Sequence, residues 1–85
     1  MSKKPGYHLS KIKKGIIGES SKIAEEVAEL IDAEDQKCRI MMMVELSDLY
    51  GAIEAFLASK FPGITMEDLK SMSEITVRAF KNGHR

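Results

Sequence analysis

The stretch IMMMVELSDLYGAIEAFL, residues 40–57, decides the fold of this chain. It is long enough for a helix of about five turns, and apolar side chains occupy nearly every side of that helix. A helix that is apolar all round is normally buried. A chain of 85 residues hides only about 60% of its unfolded surface when it folds alone. We therefore expect a second subunit to cover part of this helix, in a homo-oligomer.

Two acidic residues interrupt this apolar helix. Glu45 and Asp48 are three positions apart and project within roughly 60° of each other on one face. Burying a carboxylate costs several kcal/mol unless it is paired, neutralised or bound to a metal. Met41, Ala52 and Ala55 share that face, so small side chains leave space beside the acids. The pattern predicts a functional site around Glu45 and Asp48.

A first helix is predicted over residues 20–36. Ser20 or Ser21 is suited to cap its start. Glu26 lies at the edge of the apolar face, whereas Glu25 is expected to point towards solvent. The helix carries one apolar stripe at helical spacing, formed by Ile23, Val27, Leu30 and Ile31.

A third helix is predicted after the second one ends near Lys60. Pro62-Gly63 breaks the chain there, and Thr65 with Asp68 forms a capping-box pattern at the new start. Its inner stripe comprises Met66, Leu69, Met72, Thr76 and Phe80. The predicted fold class is all-α, a helical hairpin plus a third helix, completed by oligomerisation into a helical bundle. Residues 19–85 form this helical domain.

Residues 1–18 form a basic N-terminal arm that carries five lysines. Gly15 and Gly18 disfavour a helix there, and the pattern suits either a short extended strand or an irregular arm. A basic tail of this kind is usually solvated, with contact to nucleic acid as the alternative. The whole chain has 13 basic and 13 acidic residues, so net charge draws it to neither nucleic acid nor a membrane.

Cysteine usage and apolar runs indicate the compartment. One cysteine, Cys38, excludes an internal disulfide and a cysteine-rich zinc site. No apolar run resembles a signal peptide, and acids interrupt the one stretch long enough to span a membrane. His8 and His84 are expected at the surface. We expect a reducing, cytoplasmic setting.

The acids of the first two helices are expected to converge. Helices joined by a short turn run antiparallel, and the turn near residues 36–38 lies midway between Glu26 and Glu29 on one side and Glu45 and Asp48 on the other. All four carboxylates then meet in one cleft. Two alternatives remain: a solvated acidic face on the first helix, and a structural salt bridge of Glu45 and Asp48. The basic residues available for that salt bridge are Lys22 and Arg39.

A cluster of four carboxylates repels itself, because like charges a few ångströms apart cannot all ionise. A hard divalent cation resolves the conflict, and ligands that are all oxygen favour Mg²⁺ or Mn²⁺. Mg²⁺ commonly binds phosphate oxygens of a substrate as well. Phosphoryl chemistry with a metal-activated water is therefore the natural prediction.

The acidic motifs resemble those of a known family. EEVAE at residues 25–29 and ELSD at residues 45–48 match the EExxE…ExxD signature of the MazG-like, all-α nucleoside triphosphate pyrophosphohydrolases. Residues 14–85 are similar to the small, phage-type, single-domain members. Because family members close their active sites with subunit contacts, the resemblance implies a homodimer or homotetramer. The resemblance implies hydrolysis of a (deoxy)nucleoside triphosphate between its α and β phosphates, giving a monophosphate and pyrophosphate, in the cytoplasm of a bacterial or phage-infected cell.

The resemblance also implies roles for individual residues. Glu26, Glu29, Glu45 and Asp48 would hold Mg²⁺, with Mn²⁺ as a possible substitute. Glu26 and Glu45 would be catalytic through that ion, and Glu25 would be an outer acid that orients water.

Basic and amide side chains would hold the phosphates of the substrate. The candidates are Lys81, Asn82 and Arg85 near the end of the third helix, together with Lys22; Lys70 and Arg78 are weaker choices. The alternative function is a helical oligomer that has lost turnover and binds a nucleotide or a partner protein in a regulatory role.

Overall fold

The computed structural model describes residues 8–81, with side chains for residues 8–77. It contains three helices, α1 (Ser20–Asp35), α2 (Arg39–Lys60) and α3 (Met66–Lys81). Residues 8–81 include no strand. The predicted all-α class is confirmed, while oligomerisation and the boundary between arm and domain stay predictions. Within the same range no helix has both the length and the apolar character that a membrane crossing requires.

A tight turn joins α1 to α2 and lets the two helices pack against each other. Lys37 adopts φ 57°, in the left-handed region. This conformation reverses the chain, and the backbone N–H of Cys38 donates to the carbonyl of Ala33 at 3.1 Å. The turn therefore forms where the sequence has neither glycine nor proline.

Small apolar and acidic side chains fill the contact between α1 and α2. Ala33 and Ala52 are buried there, and so are Glu26 and Glu45. The expectation that Glu25 points towards solvent was wrong. Its side chain is buried because the N-terminal arm folds back over α1 and hydrogen-bonds to it.

The predicted apolar stripe of α1 is only partly covered. Ile23 and Leu30 are half-buried, whereas Val27 and Ile31 keep 38% and 52% of their surface exposed. The reason is that one chain offers only α2 and the arm as cover for α1. Apolar surface remains on the outside of the hairpin.

The described part of the arm, residues 8–18, is irregular and runs along α1. Of the two predicted forms, strand or irregular arm, the structure has the irregular one. Gly15 passes so close to the backbone of Ser21 that a Cβ at this position would collide with it. The predicted serine cap was wrong: the N-cap of α1 is Glu19, without a side-chain cap, and the Ser21 hydroxyl accepts from the Ile16 N–H at 3.1 Å.

Helix α3 begins as predicted, and residues of its first turns line grooves together with residues of α2. The Thr65 hydroxyl accepts from the Asp68 N–H at 3.2 Å, and Asp68 Oδ2 accepts from the Thr65 N–H at 2.9 Å, which is a capping box. Leu69 lines a groove together with Leu57 of α2. The predicted inner stripe is only partly covered: Met66, Leu69 and Thr76 are half-buried, whereas Met72 is 60% exposed. The side chain of Phe80 lies outside the described residues.

Candidate metal-binding site

Acidic side chains from α1 and α2 converge at the centre of the hairpin. Glu26 of α1 meets Glu45 and Asp48 of α2, and one carboxylate oxygen from each lies within 4.8 Å of the other two. Glu29, one turn beyond Glu26, forms a second group of the same kind with Glu25 and Glu26. Glu26 belongs to both groups. The antiparallel hairpin thus brings together the acids that helical spacing placed at equal distances from the turn.

Two of these carboxylates are buried although one oxygen of each has no hydrogen-bond partner among the described residues. Glu26 and Glu45 are each 4% exposed, and Oε1 of each accepts no hydrogen bond from the described residues. Burial raises the pKa of Glu45, and the negative charges of Glu29, Asp48 and Glu26 raise it further. Burial is also the largest cause of the raised pKa of Glu26. The cluster is therefore short of positive charge.

Lys22 supplies part of that charge. Its ammonium lies 3.0 Å from Glu26 Oε2 and 3.2 Å from Glu25 Oε1, and hydrogen bonds to these two carboxylates raise the pKa of Lys22. Lys22 thus pairs with Glu25 and Glu26, and not with Glu45 and Asp48, for which the salt-bridge alternative was considered. Neither Glu45 nor Arg39 makes an ion pair with a residue in the described part of the chain.

Glu25 is tied to the arm as well as to Lys22. The backbone N–H of Gly15 donates to Glu25 Oε1 at 2.8 Å, and Lys14 Nζ lies 3.7 Å from Oε2. The hydrogen bond from Gly15 is the largest cause of the lowered pKa of Glu25, since it favours the charged form more than burial disfavours it. Glu25 therefore stays ionised and holds the arm and Lys22 in place.

Sequence reasoning missed Asp32. This buried carboxylate accepts from the N–H groups of Leu9 and Ser10, at 2.7 and 3.1 Å, and from Gln36 Nε2 at 2.7 Å. Burial raises the pKa of Asp32, but the bonds from Gln36, Ser10 and Leu9 outweigh burial and lower it overall. The spacing of the acids could have indicated this role. Glu25, Glu29 and Asp32 follow one another at spacings of four and three residues, so they line one side of α1.

His8, which was expected at the surface, also holds the arm. Its side chain is 37% exposed, yet Nε2 lies 2.9 Å from Glu29 Oε1. Three acids on α1 thus bind three points of the arm. His84 lies outside the described residues.

The predicted phosphate-binding residues lie in different parts of the structure, and several of their side chains are not among the described ones. Lys22 points to the acid cluster, and Lys70 Nζ lies 4.0 Å from Glu74 on the surface of α3. Lys81 ends α3, but its side chain and that of Arg78 lie beyond the described ones. Asn82 and Arg85 lie outside the described residues altogether.

Comparisons with protein-family models, with curated proteins and with solved structures each give no match for this chain.

Proposed function

We propose that this chain is a Mg²⁺-dependent nucleotide pyrophosphohydrolase that converts a nucleoside triphosphate to its monophosphate and pyrophosphate. One observation carries the proposal: Glu26, Glu45 and Asp48 bring carboxylate oxygens within 4.8 Å of one another, and Oε1 of both Glu26 and Glu45 is buried without a hydrogen bond from any described residue. The MazG-like resemblance of the two acidic motifs names the reaction.

The donor set fits a hard divalent cation. All candidate ligands are carboxylate oxygens, which suit Mg²⁺ or Mn²⁺ and not a soft metal. Glu26, Glu45 and Asp48 would hold the ion, with Glu29 beside them. The ion would give a partner to Oε1 of Glu26 and of Glu45, which accept no hydrogen bond from the described residues. When bound, Mg²⁺ supplies a water of lowered pKa and neutralises charge on phosphate oxygens.

The remaining residues would position the substrate and the acids. Lys22 lies against Glu26 with its side chain 27% exposed, so its ammonium can also face a phosphate that enters the cleft. Glu25 holds Lys22 and the arm, and we assign it the role of an outer acid that orients water and does not bind the ion itself. Lys81, Asn82 and Arg85 are proposed to hold phosphates from the end of α3.

The test is a panel of ribo- and deoxyribonucleoside triphosphates in Mg²⁺ buffer, with detection of pyrophosphate and of the monophosphate. Glu45→Gln should abolish release of pyrophosphate, because it removes a charged ligand but keeps the shape of the side chain. Glu34→Gln is the matched control, since Glu34 is exposed on α1. Calorimetry should show Mg²⁺ binding by the wild type and its loss in Glu45→Gln.

A second candidate function is a regulatory protein that binds a nucleotide or a partner protein without turnover. The Lys22–Glu26 ion pair at 3.0 Å favours it, because a lysine already neutralises part of the acid cluster. Nucleotide binding without pyrophosphate from any member of the panel would support this candidate. Failure of Mg²⁺ and Mn²⁺ to bind at all would reject the proposed hydrolase.

A further inference from the structure

The side of α2 that faces away from the acid cluster is an exposed apolar surface. Met43, Leu46 and Tyr50 are exposed there by 68%, 46% and 55%. They follow one another at spacings of three and four residues, which is the pattern of a helix that packs along another helix. Glu45 and Ala52, buried against α1, lie on the opposite side of α2. We call Met43, Leu46 and Tyr50 the outer seam.

We propose that two copies of this chain pair through the outer seam, with their α2 helices antiparallel and the two-fold axis between Leu46 and Ser47. Around that axis, position 43 of one copy lies opposite position 50 of the other, and the two Leu46 side chains are neighbours at the centre. A two-fold contact of this kind is self-complementary, so each pairing occurs twice. The proposal does not rest on the proposed function, since the acids lie on the other side of α2.

Two open grooves fit this register. Arg39, Met43 and Leu46 line a groove of about 230 Å³, which lies opposite Tyr50 of the second copy. Tyr50 and Ile53 line another, of about 370 Å³, between α2 and α3, and it lies opposite Met43 of the second copy. Met43 and Tyr50 of each copy therefore each have a groove to enter, as side chains do when helices interdigitate.

The charges at the two ends of the seam match as well. In the same register, Arg39 of one copy lies opposite Glu54 of the other. Both side chains are exposed on the outer side of α2, and neither makes an ion pair with a described residue. Opposite charges at both ends fix the antiparallel direction, because a parallel pairing would bring like charges together.

The area is of the size that a dimer needs. The seam, its neighbour Ile40 (77% exposed) and the two charged residues each offer on the order of 100 Å², so each copy would bury about 600 Å². A standard stable interface buries about 800 Å² on each partner. The seam therefore supplies most of a dimer interface, with α3 beside it.

The experiment is sedimentation velocity, with light scattering as a second measure of mass, at several micromolar concentrations of the full chain. The wild type should be dimeric, and Leu46→Asp should be monomeric. Arg39→Glu and Glu54→Arg should each weaken the dimer by about tenfold or more, because each places like charges together at two sites. The double variant Arg39→Glu/Glu54→Arg should restore wild-type association.

The controls separate association from folding. Glu34→Arg reverses a charge on α1, away from the seam, and should leave the dimer unchanged. Circular dichroism should show the same helix content in every variant, because the substituted side chains are exposed. A wild type that stays monomeric, a dimer that tolerates Leu46→Asp, or a double variant as weak as the single ones would overturn the proposal.

Discussion

The ammonium of Lys22 lies 3.0 Å from Oε2 of Glu26, one helical turn away on α1, while Oε1 of the same carboxylate is buried and accepts no hydrogen bond from the described residues. One carboxylate thus faces an internal cation on one side and the acid cluster on the other. An added metal ion would share Glu26 with Lys22, and repulsion between the two cations would weaken its binding.

Lys22→Met is therefore expected to bind Mg²⁺ more tightly than the wild type, by about tenfold, because it removes a positive charge a few ångströms from the ion. Isothermal titration calorimetry measures the affinity, and Lys60→Met, at the exposed end of α2, is the control. Equal affinity in Lys22→Met and the wild type would show that the ion does not bind beside Glu26.

Glu45→Gln should raise the free energy of unfolding in metal-free buffer by about 1–2 kcal/mol. The variant removes a buried negative charge that lies near three other acids and has no ion pair within the described residues. Chemical denaturation with and without a chelator measures the effect, and Glu34→Gln should change little. A loss of stability on the scale of a broken salt bridge would mean that Glu45 has a cationic partner.

The pH dependence of stability follows from the directions of the pKa shifts. The pKa values of Glu26 and Glu45 are raised above the usual 4.5, so above pH 4.5 the folded chain binds more protons than the unfolded one until these groups ionise. The free energy of unfolding must fall as the pH rises through that window. The lowered pKa values of Glu25 and Asp32 have the opposite effect on stability. They stabilise the folded chain above the pKa values that these groups have in the unfolded chain, and this stabilisation is lost as the pH falls below those values.

The metal-free chain should accordingly be most stable in mildly acidic solution and less stable at pH 8. Thermal denaturation between pH 3 and pH 9 measures this curve. A saturating concentration of Mg²⁺ should remove the loss of stability at high pH, since the charge of the ion balances the charges of the ionised acids. A curve that Mg²⁺ leaves unchanged would contradict the assignment of the cluster as a cation site.

Asp32→Asn should release the N-terminal arm from α1. The amide replaces a carboxylate that accepts from Leu9, Ser10 and Gln36, so we expect a loss of about 1–3 kcal/mol. Trypsin should cut the arm several-fold faster, at its lysines, and mass spectrometry of the fragments locates the cuts. Asp35→Asn is the control, because Asp35 is exposed at the end of the same helix.

Lys37→Gly should stabilise the hairpin by about 1 kcal/mol, because Lys37 has φ 57° and glycine adopts this conformation without steric cost. Lys60→Gly, in the last turn of α2, should destabilise instead, since glycine is a poor helix former. Thermal or chemical denaturation compares the two. Destabilisation by both substitutions would mean that the left-handed turn is not formed in solution.

Local patterns determined much of this protein. Pro62-Gly63 ends α2, the Thr65–Asp68 capping box begins α3, and the spacing of Glu26 from Glu45 about the turn brings these acids together. Each of these results depends on residues close in sequence or on the period of a helix, and the sequence shows both directly.

The tertiary structure decided what each acid does. Glu25 was expected to face solvent and is buried under the arm, and Asp32 was not singled out although it holds the arm at Leu9 and Ser10. Both roles depend on where an irregular segment without periodicity folds back. Its course is set by hydrogen bonds between backbone N–H groups and distant carboxylates, which no local pattern of side chains encodes.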